Sequence, residues 1–226
     1  MKLRVAMLCM SFALMVVPAC ATPVTYSAES IEARIVDADT KQPLEGVIVV
    51  AHWVLEGGIH VDRVGELVIL ETVTDKTGRF YFSGWGPIRH WKRSRLTNMD
   101  PELLLFKSGY EHKRLANPST KEAIEGKPYP VRRSQWSGKT IELKPFKGTA
   151  QQYADHLGSL NNNLYPLLGS ETCDWKKIPL MLLALTEQSR AFRKLRIEAL
   201  YDVDLYLPIS ERKCGSPSAF FKEYRP

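Results

Sequence analysis

The sequence predicts an α+β protein, with an N-terminal antiparallel β-sandwich over residues 30–146 and a C-terminal helical hairpin over residues 147–226. Three observations carry that reading. Residues 31–51 read as strand, polar turn and strand, and residues 74–82 answer them with a further strand behind an Asp-x-x-Gly turn. Short apolar runs separated by Gly, Pro and Asp then recur as far as Phe146, the spacing of a sandwich. Beyond Lys147 the apolar period changes from two residues to that of a helix.

The first strand is set by Ile31, Ala33 and Ile35, which alternate with Glu32 and Arg34 so that one face is apolar and the other wet. Residues 46–55 are apolar on both faces, as a central strand should be, and Gly57-Gly58 marks a hairpin tip. Residues 66–74 and 79–83 are expected as a hairpin, because Asp75-Lys-Thr-Gly78 places Asp first and Gly fourth in a type I turn. Residues 102–107 and 111–115 flank Ser108-Gly109-Tyr110, and residues 139–145 supply a last strand around Ile141 and Leu143. Residues 84–101 and 116–138 are expected as long loops, which at that length are disordered or functional.

The helical part opens on Thr149-Ala-Gln-Gln152, which has the form of a capping box. Tyr153, Leu157, Leu160, Leu164 and Leu168 follow at helical spacing until Pro166 disturbs the end. A second helix is expected over residues 178–201, with Ile178, Leu182, Leu185, Phe192 and Leu195 on one stripe. Pro179 falls in its first turn, where a missing N–H is tolerated.

Three short motifs occur in order. Pro43-Leu44-Glu45-Gly46-Val47 precedes a strand, residues 74–80 spell Thr-Asp-Lys-Thr-Gly-Arg-Phe, and Gly109-Tyr110 follows Leu103-Leu-Leu-Phe106. In these residues the chain resembles the carboxypeptidase regulatory-like domain, a transthyretin-like, Greek-key β-sandwich. The resemblance covers residues 30–115, and 30–146 with the last strand. It implies a scaffold or binding surface without catalysis. It does not reach residues 147–226. The zinc peptidases that often carry this domain need a His-x-x-Glu pair, and none of His52, His60, His90, His112 and His156 has Glu three residues on.

Lys2 and Arg4 lead into an uncharged run, residues 5–17, followed by Pro18-Ala19-Cys20-Ala21. A basic start, an apolar centre of about 13 residues and small residues behind it predict a secretory signal peptide over residues 1–20. A membrane-spanning helix needs about 20 apolar residues. Val17-Pro-Ala-Cys20 resembles the lipobox of bacterial lipoproteins, which implies lipidation of Cys20 and an exported, periplasmic protein anchored to a membrane. Ala19-x-Ala21 offers a competing route, ordinary cleavage to a soluble periplasmic chain beginning at Thr22. Either route leaves Cys173 and Cys214, an even pair in an oxidising compartment, expected as a disulfide that clamps the tail to the helices. Loss of Lys2 and Arg4 lowers the formal charge from +6 to +4, too slight a basicity for a nucleic-acid partner.

The motif search assigns no catalytic residue, metal or cofactor: no nucleophile elbow and no phosphate-binding glycine loop occurs. His52 and His60 flank the first hairpin, where surface histidines on an edge are a commoner arrangement than a metal pair. Two features suit binding. Residues 89–95, Arg-His-Trp-Lys-Arg-Ser-Arg, gather four cations round Trp91, with Trp85 upstream. Trp85, Trp91, Arg93 and Arg95 are therefore the candidate binding residues; the bland alternative is a solvated loop. Arg190, Arg193, Lys194 and Arg196 lie on the second helix and would suit anionic lipid headgroups, or be a solvated face. Three functions stay open. The preferred one is a non-enzymatic envelope protein whose sandwich docks a protein partner. The others are a saccharide or cell-wall binding module using Trp85, Trp91 or Trp136, and an enzyme with an unrecognised site.

Overall fold

The computed structural model describes residues 23–90, 94–97, 99–117, 121–122, 129, 131–168, 172–197 and 211–224; Cys20, Trp91 and Arg93 fall outside them. In chain order the strands are β1 (Val24–Ala28), β2 (Ile31–Asp37), β3 (Ile48–Gly57), β4 (Asp62–Val73), β5 (Arg79–Phe82) and β6 (Trp85–His90). They continue as β7 (Arg95–Leu96), β8 (Glu102–Phe106), β9 (Lys113–Leu115), β10 (Lys121–Glu122), β11 (Val131–Arg132) and β12 (Thr140–Leu143). The helices are α1 (Ala150–Leu164), α2 (Pro179–Lys194), α3 (Glu211–Cys214) and α4 (Pro217–Lys222), with 3-10 turns at Tyr165–Leu168 and Asp174–Lys177.

The sandwich is built as the alternation of apolar residues demands. β2 lies between β12 and β5; β3 lies between β4 and β8, with β9 beyond β8. Ile31, Ala33 and Ile35 of β2 meet Val49, Ala51 and Trp53 of β3 in one core, which Phe80, Phe82, Ile141 and Leu143 complete. A third sheet, in the order β10-β11-β1-β6, flanks this pair. Pairing is antiparallel except where β12 joins β2 and β11 joins β1, which run parallel.

One expected hairpin does not form. The turn at Asp75 does: Gly78 N–H donates to the Asp75 carbonyl, and the Asp75 carboxylate accepts the N–H groups of Thr77 and Arg79. Yet β4 pairs with β3 and β5 with β2, so the turn carries the chain from one sheet to the other. The cause lies on either side of it. Thr74 accepts the Val47 N–H and donates to the Leu44 carbonyl, holding the turn at the head of β3, while Ile35 N–H reaches the Gly78 carbonyl. Gly78 has φ +74°, and a Cβ there would collide with the Ile35 carbonyl.

The two expected long loops also contain structure. Residues 84–101 include β6 and β7, and residues 116–138 include β10 and β11. A buried ion pair ties them together, the Asp100 carboxylate lying 3.0 Å from Arg132 Nη1. Buried Asn117 completes the knot: its amide donates to the Asp100 and Arg133 carbonyls, and its Oδ1 accepts the Gln135 N–H.

The helices form a further layer on the outer face of the larger sheet. Val50, Leu104 and Phe106 turn outward from β3 and β8 and share a second core with Leu157, Leu160, Leu164, Trp175, Met181 and Leu185. This is why β3 is apolar on both faces. The capping box at Thr149 is present in both directions, at 3.2 and 2.8 Å. α2 stops at Lys194 instead of near residue 201, and Leu195, expected on the buried stripe, is exposed. Its last turn closes as a Schellman motif, with Ile197 N–H to the Phe192 carbonyl and Arg196 N–H to the Arg193 carbonyl. The expected Cys173–Cys214 bridge is present, with Cα atoms 5.5 Å apart. It fastens the tail so that Phe221 is buried beside Trp175. Among the described residues no helix is long and apolar enough to cross a membrane.

Candidate functional site

The described candidate binding residues are placed apart by the strands that carry them. Trp85, half-buried at the start of β6, meets Trp53 edge-on with ring centroids 5.2 Å apart and packs on the sandwich core. Trp136 packs on the same core and donates its indole N–H to the Ala116 carbonyl at 3.0 Å. Arg95 is exposed on β7, opposite Glu56 of β3. His52 and His60 are not brought together: His52 is buried in the sheet and His60 is exposed at the β3–β4 tip.

His52 instead belongs to a charged cluster that sequence reasoning missed. Its Nδ1 lies 3.2 Å from Glu66 and its Nε2 lies 3.6 Å from Glu102. Arg63 closes on Glu66, and Arg114 grips Glu102 with two bonds of 2.8 and 2.5 Å. Burial pushes the Glu102 carboxyl up, but the Arg114 bonds and the neighbouring positive charges overcome it and hold the group below the usual carboxylate range. Each carboxylate is matched by a cation, so the cluster latches β3, β4, β8 and β9 together. The one signal was a charge within or at the head of a strand otherwise rich in apolar residues, Glu66 in β4 and Glu102 in β8, where charges need partners.

A second polar cluster lies in the seam between α1 and the sheet. His112 Nδ1 is 2.9 Å from His156 Nε2, and Ser159 Oγ is 3.1 Å from His112 Nε2. Burial first, and His156 second, push His112 down to about 4. A hydroxyl beside an imidazole is the arrangement of an activated nucleophile. Here Ser159 donates its proton to the His156 carbonyl at 2.9 Å, so the hydroxyl is already engaged as a donor.

A concavity with apolar walls lies where the paired ends of β3 and β4 meet α2. Ile48, Val73, Leu180 and Leu183 line a groove of about 260 Å³, with Glu187 and Arg190 among its charged lining residues. Among the described residues β4 pairs only with β3, so its other edge has backbone groups not used in a ladder. The head of α2 is fixed to this strand. Ile178, at the N-cap, makes no side-chain cap bond, and Glu71 of β4 replaces it, accepting the Leu180 and Met181 N–H groups at 2.8 Å each. Burial pushes the Glu71 carboxyl up to about 7, against the pull of those two donors. Nothing in the local sequence of either element marks this cap, because its partners are more than a hundred residues apart. A polar hollow of about 460 Å³ opens on the outer face of β2, lined by Glu32, Arg34, Arg79 and Lys139.

No protein-family model matches the sequence, and no curated protein matches it. Among solved structures the chain is similar to 3-chlorocatechol 1,2-dioxygenase from Rhodococcus opacus 1CP, with 14% identity over 55% of this chain and 62% of that one and a TM-score of 0.33. It is also similar to the group B streptococcus pilus 2b backbone protein, with 14% identity over 52% and 41% and a TM-score of 0.25. A third is BcpA, the major pilin subunit of Bacillus cereus, with 18% identity over 54% and 31% and a TM-score of 0.24. The chain spans less than two thirds of each of these proteins. At such TM-scores these likenesses decide nothing about function.

Proposed function

We propose that the chain is an exported, non-enzymatic envelope protein with a transthyretin-like sandwich, held to a membrane by lipid on Cys20. In this reading it docks an extended segment of a protein partner between β4 and α2. The observation that carries the docking reading is an apolar groove at the end of β4, a strand that has β3 as its one ladder partner among the described residues. An added strand gains main-chain hydrogen bonds from the edge, and its apolar side chains gain specificity from the groove. Export is supported by the basic, apolar and small-residue order of residues 1–20 and by a disulfide, which persists in oxidising compartments.

Site-specific photo-crosslinking in the native envelope tests the reading. A crosslinker at Val73 or Leu183 should capture a defined partner peptide, a crosslinker at Tyr81 should not, and Leu183→Arg should abolish capture. Equal labelling from Tyr81 would sink it. Saccharide binding lost on Trp85→Ala would favour the cell-wall reading instead.

A further inference from the structure

The β3–β4 hairpin ends in an apolar tip that neither core nor groove uses. Ile59 is 96% exposed, Val64 55% and Val61 48%. Val61 holds φ +58°, a conformation that β-branched residues avoid. The start of β1 lies at the same end. Val24, itself 50% exposed, pairs with His90; His90 Nε2 is 2.8 Å from Ser94 Oγ; and Ser94 and Val64 both border Gly57 at the foot of the tip. Arg89 and Arg95 are exposed on the neighbouring strands, with Glu56 opposite Arg95 and Asp62 opposite Gly57.

We propose that this tip enters the interfacial layer of a lipid bilayer, with Arg89 and Arg95 at the depth of the headgroups. The inference deepens the lipid-anchored reading above and rests on it. Cys20 precedes Val24 by four residues, and a chain spans at most about 3.6 Å per residue, so lipid on Cys20 holds this end within about 15 Å of the membrane. Apolar side chains at an apex with cations beside them are the layout of an interfacial anchor. The opposite end is out of reach. α2 runs from Glu71, opposite Val50, to Gln188, which donates to Ser108 just past the Phe106 that pairs with Ile48. Ile48 and Gly57 end a strand about 30 Å long, so Arg193, Lys194 and Arg196 stand away from a bilayer that holds Cys20.

The test uses the full lipidated protein on vesicles of phosphatidylethanolamine and phosphatidylglycerol with brominated acyl chains. Ile59 is almost fully exposed, so changing it leaves the fold intact. Ile59→Trp should raise brominated-lipid quenching above that of the parent protein, whereas Tyr81→Trp on the outer face of β5 should not. Ile59→Asp should weaken vesicle binding by the unlipidated mature chain at least about tenfold. Quenching no greater than the parent's, or a tip that instead drives concentration-dependent self-association, would overturn the proposal. Intact mass at Cys20 separates the two readings: lipid present without quenching defeats the tip alone, quenching without lipid upholds the tip alone, and absence of both defeats both.

Discussion

Glu71 has the most consequential single side chain in the described structure, because it is at once a buried carboxyl and the cap of a helix on another layer. Its pKa rises from 4.5 to about 7 on folding. A raised folded value means the protonated form is favoured in the folded state. The contribution is complete below the unfolded value and is lost as pH climbs through about 7. Denaturant midpoints of the parent should therefore fall relative to Glu71→Gln between about pH 5 and about pH 8. The change should be on the order of 2 kcal/mol once the exposed part of the carboxyl is discounted. A gap that does not move with pH would show that Glu71 is not titrating in that window. Arg196 is the opposite case, a side chain strained by its backbone. It closes α2 with φ +61°, where glycine is at ease. Arg196→Gly should raise stability by up to about 1 kcal/mol, read by thermal melting.

The connections hold more of the structure than their composition suggests. Thr74, Asp75 and Gly78 make a turn that is correct by local rules, but the strands on either side leave for different sheets. The segments on either side of β8 and β9 are held by Asp100, Asn117 and Arg132, whose side chains are buried in a place that reads as polar loop. Breaking one member of a buried ion pair leaves the other charge without its partner. Arg132→Met or Asp100→Asn alone should cost about 3–5 kcal/mol, and the double change Asp100→Asn with Arg132→Met should recover much of it. Chemical denaturation of the four proteins gives the cycle. Additive losses would mean the two residues act separately.

The helices and the sandwich share one sheet between two cores, so the disulfide matters beyond the tail it closes. Cys173 and Cys214 are 41 residues apart, and on chain entropy alone the bridge contributes about 4 kcal/mol. Cys173→Ser with Cys214→Ser should loosen the helical layer first and uncover Val50, Leu104 and Phe106. Hydrogen exchange should then accelerate in α1 and α2 before it does in β2 and β5. Simultaneous acceleration everywhere would mean that the two cores unfold as one.

What could be read from the sequence alone was whatever depends on neighbours along the chain. The alternation at Ile31, Ala33 and Ile35, the capping box at Thr149 and Gln152 and the helical stripe through Leu157 and Leu164 are properties of adjacent residues, and each stands as expected. The cysteine pair was legible for another reason: the expected export and the parity of the cysteines left few choices. Tertiary structure alone decided which strand takes which partner, because ladder bonds are the same for any pair and only the packing of both faces selects among them. It also decided the candidate sites. The Glu71 cap, the His52 cluster, the groove and the alignment of Val24 with the β3–β4 tip each join residues distant in sequence, and such charges and apolar surfaces acquire a meaning only when the fold places their partners beside them.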